Sequence, residues 1–140
     1  MNLVNITVSR RSPAPPEKVY DRWIDPLSPG GPWFGVARVI LSQEVDGLFY
    51  HAAEYNGKNW PHYGRFLALD RPNRIERTWV SEATKGIESK IVITLERSGD
   101  ETELFLHHSD VPDDEMGRSH EQGWKWVLPM LASSFAPSFV

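Results

Sequence analysis

The chain has 140 residues, 15 Lys+Arg against 19 Asp+Glu, a net charge of −4 and 40% hydrophobic residues. That is enough chain for one core, burying about 68% of the unfolded surface, and the absence of cysteine excludes disulfides and thiolate metal sites. A mildly acidic chain with no basic run longer than Arg10-Arg11 has little electrostatic drive toward nucleic acid or anionic membranes.

Residues 3–11 alternate, with Val4, Ile6 and Val8 against Asn5, Thr7 and Ser9, the period of a half-buried strand. Pro13, Pro15 and Pro16 end it, and Pro16 suits the first position of a helix with Glu17 facing the positive end of the dipole. Val19, Tyr20, Trp23 and Ile24 make the apolar stripe of that short helix, which Asp25-Pro26 stops. Residues 27–35 read as a loop carrying Trp33 and Phe34.

Six strands in a meander are predicted next, over 36–42, 48–54, 60–69, 75–80, 87–96 and 103–109. Asp46-Gly47, Asn56-Gly57 and Ser98-Gly99-Asp100 supply turns, and 70–74 a corner. After Val111-Pro112 the pattern becomes helical, with Asp113 as N-cap and Asp114 and Glu115 in the first turn. Met116, His120, Trp124, Val127, Leu131 and Phe135 fall on one side of this long helix, and Pro129 predicts a bend within it.

Five histidines are the first candidates for chemistry: His51, His62, His107, His108 and His120. Leu104, Leu106 and His108 share one strand face, so His108 is expected inside and His107 outside. His120 lies on the helix stripe and approaches the same space. The two are either a polar anchor or acid/base pair in an apolar pocket, or hydrogen-bonded core residues. Two convergent imidazoles do not make a metal site, which needs three or four ligands.

Arg77 shares parity with Ile75 and Trp79. Pointing inward it needs an anionic partner, such as Glu54 or a ligand carboxylate; a bulge would instead leave it on the surface. Six aromatic residues, Trp33, Tyr50, Trp60, Tyr63, Trp79 and Trp124, are candidate pocket walls, and Trp79 and Trp124 fit a filled core as well. Trp126 is turned away from the stripe, and with Phe135, Phe139 and Val140 forms a candidate homodimer contact, unless the tail folds back over it. No nucleophile elbow or phosphate loop occurs, and no cofactor is implied.

The order of elements carries specific residues that resemble a family. Ala14-Pro15-Pro16-Glu17-Lys18-Val19-Tyr20, then Trp23, Asp25-Pro26 and Trp33-Phe34-Gly35, resemble the first-helix region of homologues of the activator of heat-shock protein 90 ATPase, a branch of the START-related helix-grip (SRPBCC) superfamily. Gly64-Arg65-Phe66, Asp70, Pro72, Trp79, the strand from Thr102 to His108, and His120 with Gly123-Trp124 and Leu128 continue the likeness. Asp46 in place of a usual glycine, Arg77 in place of an apolar residue, and Pro129 depart from it.

The resemblance implies an α+β helix-grip fold over residues 1–140. A curved antiparallel sheet of about seven strands would wrap a long C-terminal helix, with a short helix after the first strand and Trp33 bordering a cavity mouth. It implies no catalysis, since relatives differ in activity. The expected function is binding of a hydrophobic small molecule, aromatic or lipid-like, between sheet and helix. The candidate contacts are Trp33, Tyr50, Trp60, Tyr63, Arg77, Trp79, His108, His120 and Trp124. Two alternatives stand beside it: a cyclase, dehydratase or isomerase using a cavity histidine, and a chaperone-assisting interaction module. With no long apolar run at the start, a cytoplasmic location is expected.

Overall fold

The computed structural model describes residues 2–26, 31–33 and 38–135, with the side chain of Tyr55 outside that set. Seven strands run β1 (Leu3–Ser12), β2 (Arg38–Leu41), β3 (Leu48–Tyr55), β4 (Lys58–Asp70), β5 (Arg74–Ser81), β6 (Ser89–Ser98) and β7 (Glu101–Pro112). Helix α1 (Pro16–Ile24) follows β1, and α2 (Glu115–Ser133) is the last element of the described chain. The sheet has the order β1-β7-β6-β5-β4-β3-β2, with every pairing antiparallel. Only β1 leaves the meander, crossing to pair with β7 because α1 intervenes.

Alternation decides which face is inner. In β6 and β7, Ile91, Ile93, Leu95, Leu104, Leu106 and His108 are buried, and the residues between them are not. Against this face α1 packs Val19, Tyr20 and Trp23, while α2 packs Trp124, Leu128, Leu131 and Ala132. Each side chain of this size removes about 1.5–3 kcal/mol worth of apolar surface from water, which is what holds both helices to the sheet.

Local chemistry fixes the connections. Asn56 and Gly57 have φ of 51° and 73°, the paired positive values of a two-residue hairpin turn. Asp46, where the family resemblance leads one to expect glycine, takes φ 66° itself. At Gly64 a Cβ would stand 2.0 Å from the Thr78 carbonyl oxygen, so this glycine allows β4 and β5 to approach.

Some boundaries shift from those expected. Asp114, not Asp113, caps α2, its carboxylate accepting from the Gly117 amide at 2.7 Å. As expected, the helix continues through Pro129. Strands β6 and β7 each reach a few residues beyond the alternating core, because their solvated ends still pair. Of the predicted loop and second strand, Phe34, Gly35 and Val36 lie outside the described residues, as do Phe139 and Val140 of the tail.

Candidate functional site

A cavity of about 580 Å³ lies between the β3-β4-β5 end of the sheet and the first half of α2. The sheet contributes His51 and Ala53 from β3, Trp60 and His62 from β4, and Trp79 from β5. Helix α2 contributes His120 and Trp124, with Met116, Trp126 and Val127 toward the mouth, and Pro32 and Trp33 close one side. Trp126, 66% exposed, marks the opening.

Strand register builds the polar wall. The tight turn at Asn56-Gly57 pairs Tyr55 with Lys58, and counting back pairs Ala53 with Trp60 and His51 with His62. These four residues therefore stand in two inward rows. The imidazoles of His51 and His62 stack, with centroids 4.4 Å apart and planes 3° apart. Trp33 is wedged among Trp23, Phe49, His51 and Trp79, with ring centroids 4.8–6.4 Å away.

Hydrogen bonds assign the histidine tautomers. His62 Nδ1 lies 2.8 Å from the Trp60 carbonyl, which only accepts, so Nδ1 carries the proton and Nε2 is left with a lone pair. His120 donates from Nδ1 to the Gly117 carbonyl at 2.8 Å and accepts from Trp79 Nε1 at Nε2, 3.2 Å away. Ser89 gives its proton to the Trp79 carbonyl, so His108 donates from Nε2 to the Ser89 oxygen. His108 Nδ1 then accepts from Trp124 Nε1 at 3.1 Å.

Burial disfavours the charged form of all four inner histidines. It lowers His51 and His108 to about 2, with neighbouring histidine and Arg77 charges acting in the same direction. His62 falls to about 4, desolvation outweighing the opposite pull of the Trp60 carbonyl. His120 is lowered as well, chiefly by burial and against the Gly117 carbonyl. At neutral pH the cavity walls thus carry neutral imidazoles.

Directly behind the wall lies Arg77, 1% exposed. Its guanidinium carbon is 3.5 Å from the Phe49 ring centroid, 5.1 Å from that of Trp79 and 5.8 Å from that of Trp33. Nε donates to the Thr78 carbonyl, while Nη1 and Nη2 have no hydrogen-bond partner among the described residues. Desolvation pushes its pKa down to about 9, which leaves it charged at neutral pH.

The predicted candidates divide. Trp33, Trp60, Trp79, His120 and Trp124 line the cavity. Tyr50 and Tyr63 do not: they pair across β3 and β4 one residue out of phase with His51 and His62, which puts them on the outer face, Tyr63 being 53% exposed. His108 is fully buried but sits beneath Trp124 and Ser89 with both ring nitrogens engaged, so it is a core residue and not a cavity wall. Arg77 points inward, and no acidic side chain among the described residues pairs with it. Glu54 is exposed and pairs with Asn59 away from it. Sequence reasoning missed His51 and His62 as wall residues, although the Asn-Gly turn sets their register and Phe49 sets their parity. Phe135 packs against the core under the Arg22 guanidinium, 4.0 Å away, and is not free for a partner. No three His, Asp or Glu side chains among the described residues are placed to hold a metal ion.

The sequence profile described as Activator of Hsp90 ATPase homolog 1-like protein matches residues 13–136. The chain belongs to this family. Similar solved structures agree in fold. Protein CV1439 from Chromobacterium violaceum is 25% identical with a TM-score of 0.80, the alignment covering 96% of this chain and 98% of that one. An HSP90 activator from Plasmodium falciparum is 16% identical with a TM-score of 0.73, over 89% of this chain and 90% of the other. The Aha1 dimer from Colwellia psychrerythraea is 18% identical with a TM-score of 0.71, over 94% and 96%. Comparison with curated protein sequences returns no match. This chain sets a stacked histidine pair opposite a helix, and behind it an arginine with no ion pair among the described residues. No helix among its described residues is long and apolar enough to cross a membrane.

Proposed function

We propose that the chain works as a single helix-grip domain that binds a hydrophobic, ring-bearing small molecule in the cavity between the sheet and α2. The observation that carries this reading is the cavity itself: about 580 Å³, walled by Trp33, Trp60, Trp79 and Trp124, a volume within the range of small-molecule sites. Protein interiors are close-packed with few voids larger than a water molecule, so a concave space of this size reads as a binding site. Apolar burial supplies affinity, and the free lone pair of His62 Nε2 orients a hydroxyl or amine of the ligand. Trp60 Nε1 and His51 Nδ1, both buried without a hydrogen-bond partner among the described residues, are further polar contacts available to a ligand.

Enzymatic use of the cavity would rest on His62 or His51, because His108 and His120 have both nitrogens engaged. A chaperone-assisting role, which the name of the Plasmodium falciparum relative brings to mind, would not need the cavity. Trp126 remains a candidate contact for a second copy, being exposed on α2, and the similar Colwellia protein is a dimer.

The test is titration with the neutral fluorophore N-phenyl-1-naphthylamine, read by energy transfer from the cavity tryptophans. Gly123 lines the cavity, and a Cβ there meets nothing within 4 Å. Gly123→Phe should therefore fill the space without disturbing the core, and should abolish binding while the circular dichroism spectrum is retained. Saturable binding that survives this substitution unchanged would place the probe elsewhere and refute the reading.

A further inference from the structure

Among the described residues with buried, unpartnered polar atoms, Arg77 is the one that carries a formal charge. Its cross-strand row runs Phe66, Arg77, Ile91, His108 and Ile6, all buried. A cation in an apolar row is costly unless an anion or a full set of hydrogen bonds answers it. Here only Nε is hydrogen bonded, two nitrogens are unpartnered, and no ion pair to Arg77 occurs among the described residues. Three aromatic faces attract the guanidinium but do not neutralise it. Gly64 preserves the arrangement, since a Cβ at that position would lie 2.9 Å from Arg77 Nη2.

The charge lies under the cavity floor. Trp33 and Trp79 line the cavity on one side and stand 5.8 and 5.1 Å from the guanidinium on the other. The titratable wall groups His51, His62 and His120 are neutral at pH 7, and the acid at the cavity's edge, Glu115, is exposed on the first turn of α2. Arg77 therefore sets an unneutralised positive charge behind the Trp33–Trp79 side of the cavity.

We infer that the ligand of this cavity is an organic acid, a ring-bearing molecule whose carboxylate or sulfonate lies against the Trp33–His51–Trp79 wall, with Arg77 as its buried counter-charge. This deepens the binding reading above and rests on it. Arg77 acts through the ring wall by its field, with no direct contact required, so it selects for anions without fixing one geometry. An anion on the far side of either indole stands roughly 9 Å from the guanidinium carbon, where a charge pair in a protein-like dielectric changes affinity by more than about tenfold.

Two probes of one skeleton separate charge from shape: 8-anilinonaphthalene-1-sulfonate, and N-phenyl-1-naphthylamine, which lacks only the sulfonate. The wild-type protein should bind the sulfonate at least tenfold more tightly at pH 7. Arg77→Met should erase that preference and leave the neutral probe's affinity within about twofold, and Arg77→Lys should keep most of it. Equal affinities in the wild type, or a sulfonate preference that persists in folded Arg77→Met, would overturn the inference while the cavity reading stands. Neither probe binding to the wild type would overturn both. Equal affinities in the wild type overturn the inference even if Arg77→Met does not fold.

Discussion

Moderate acid should unfold this protein well before its carboxylates titrate. An unfolded histidine titrates near 6.5, whereas burial holds His51 and His108 at about 2 and His62 at about 4. All three shifts are downward, so below pH 6.5 the unfolded chain binds more protons than the folded one and stability falls with pH. The contribution is complete above pH 6.5 and is lost progressively down to the folded values. Between pH 7 and pH 5 each such histidine loses about 2 kcal/mol, and three lose about 5–6 kcal/mol together. His120, lowered in the same direction, adds to the loss. That total matches the lower end of a whole domain's stability, about 5 kcal/mol. The salt-bridged carboxylates of Asp21, Glu76 and Asp114 are held below their usual values by their partners, so their contribution fades only at lower pH. Urea unfolding followed by circular dichroism at pH 7, 6 and 5 measures the effect, and His51→Phe should reduce the slope by about a third. A urea midpoint that stays constant from pH 7 to pH 5 would refute the account of the inner histidines as buried neutral bases.

Trp124→Ala should lower stability by about 3–5 kcal/mol in urea unfolding, since it opens a void against Trp23 and Trp79 and removes the donor to His108. Ser89→Ala leaves the His108 Nε2 proton and the Trp79 carbonyl without their shared partner, and should cost about 1–3 kcal/mol by the same assay. Gly64→Ala places a Cβ 2.0 Å from the Thr78 oxygen and should cost about 2 kcal/mol or more, with the loss visible as a lowered melting temperature. An unchanged melting temperature in that variant would mean that β4 and β5 are not in such close contact.

Period-two alternation around apolar residues made β1, β6 and β7 readable without structure, and also placed His108 inward and Phe105 and His107 outward. The helical spacing of α2 and the proline at the start of α1 were as plain. Even the histidine wall was written in the chain. A two-residue Asn-Gly turn permits one register, and that register sets His51 beside His62. The exclusion of Tyr50 and Tyr63 follows from the same count, because their neighbours on either side face in.

What alternation cannot supply is depth. It places His108 and Arg77 on the inner face but does not say that Trp124 and Ser89 cover the first or that Phe49, Trp33 and Trp79 cover the second. Those relations join residues on separate elements, and they depend on how α1, α2 and the Trp33 segment close over the sheet. Whether the space under α2 is filled or open is a difference of a few side-chain volumes, decided by which large rings turn toward one another. The sequence by itself therefore determined the strands, the helices and the inner face. Only their packing decided that the face holds a cavity, that His62 and not His108 meets it, and that a cation lies behind its wall with no ion pair among the described residues.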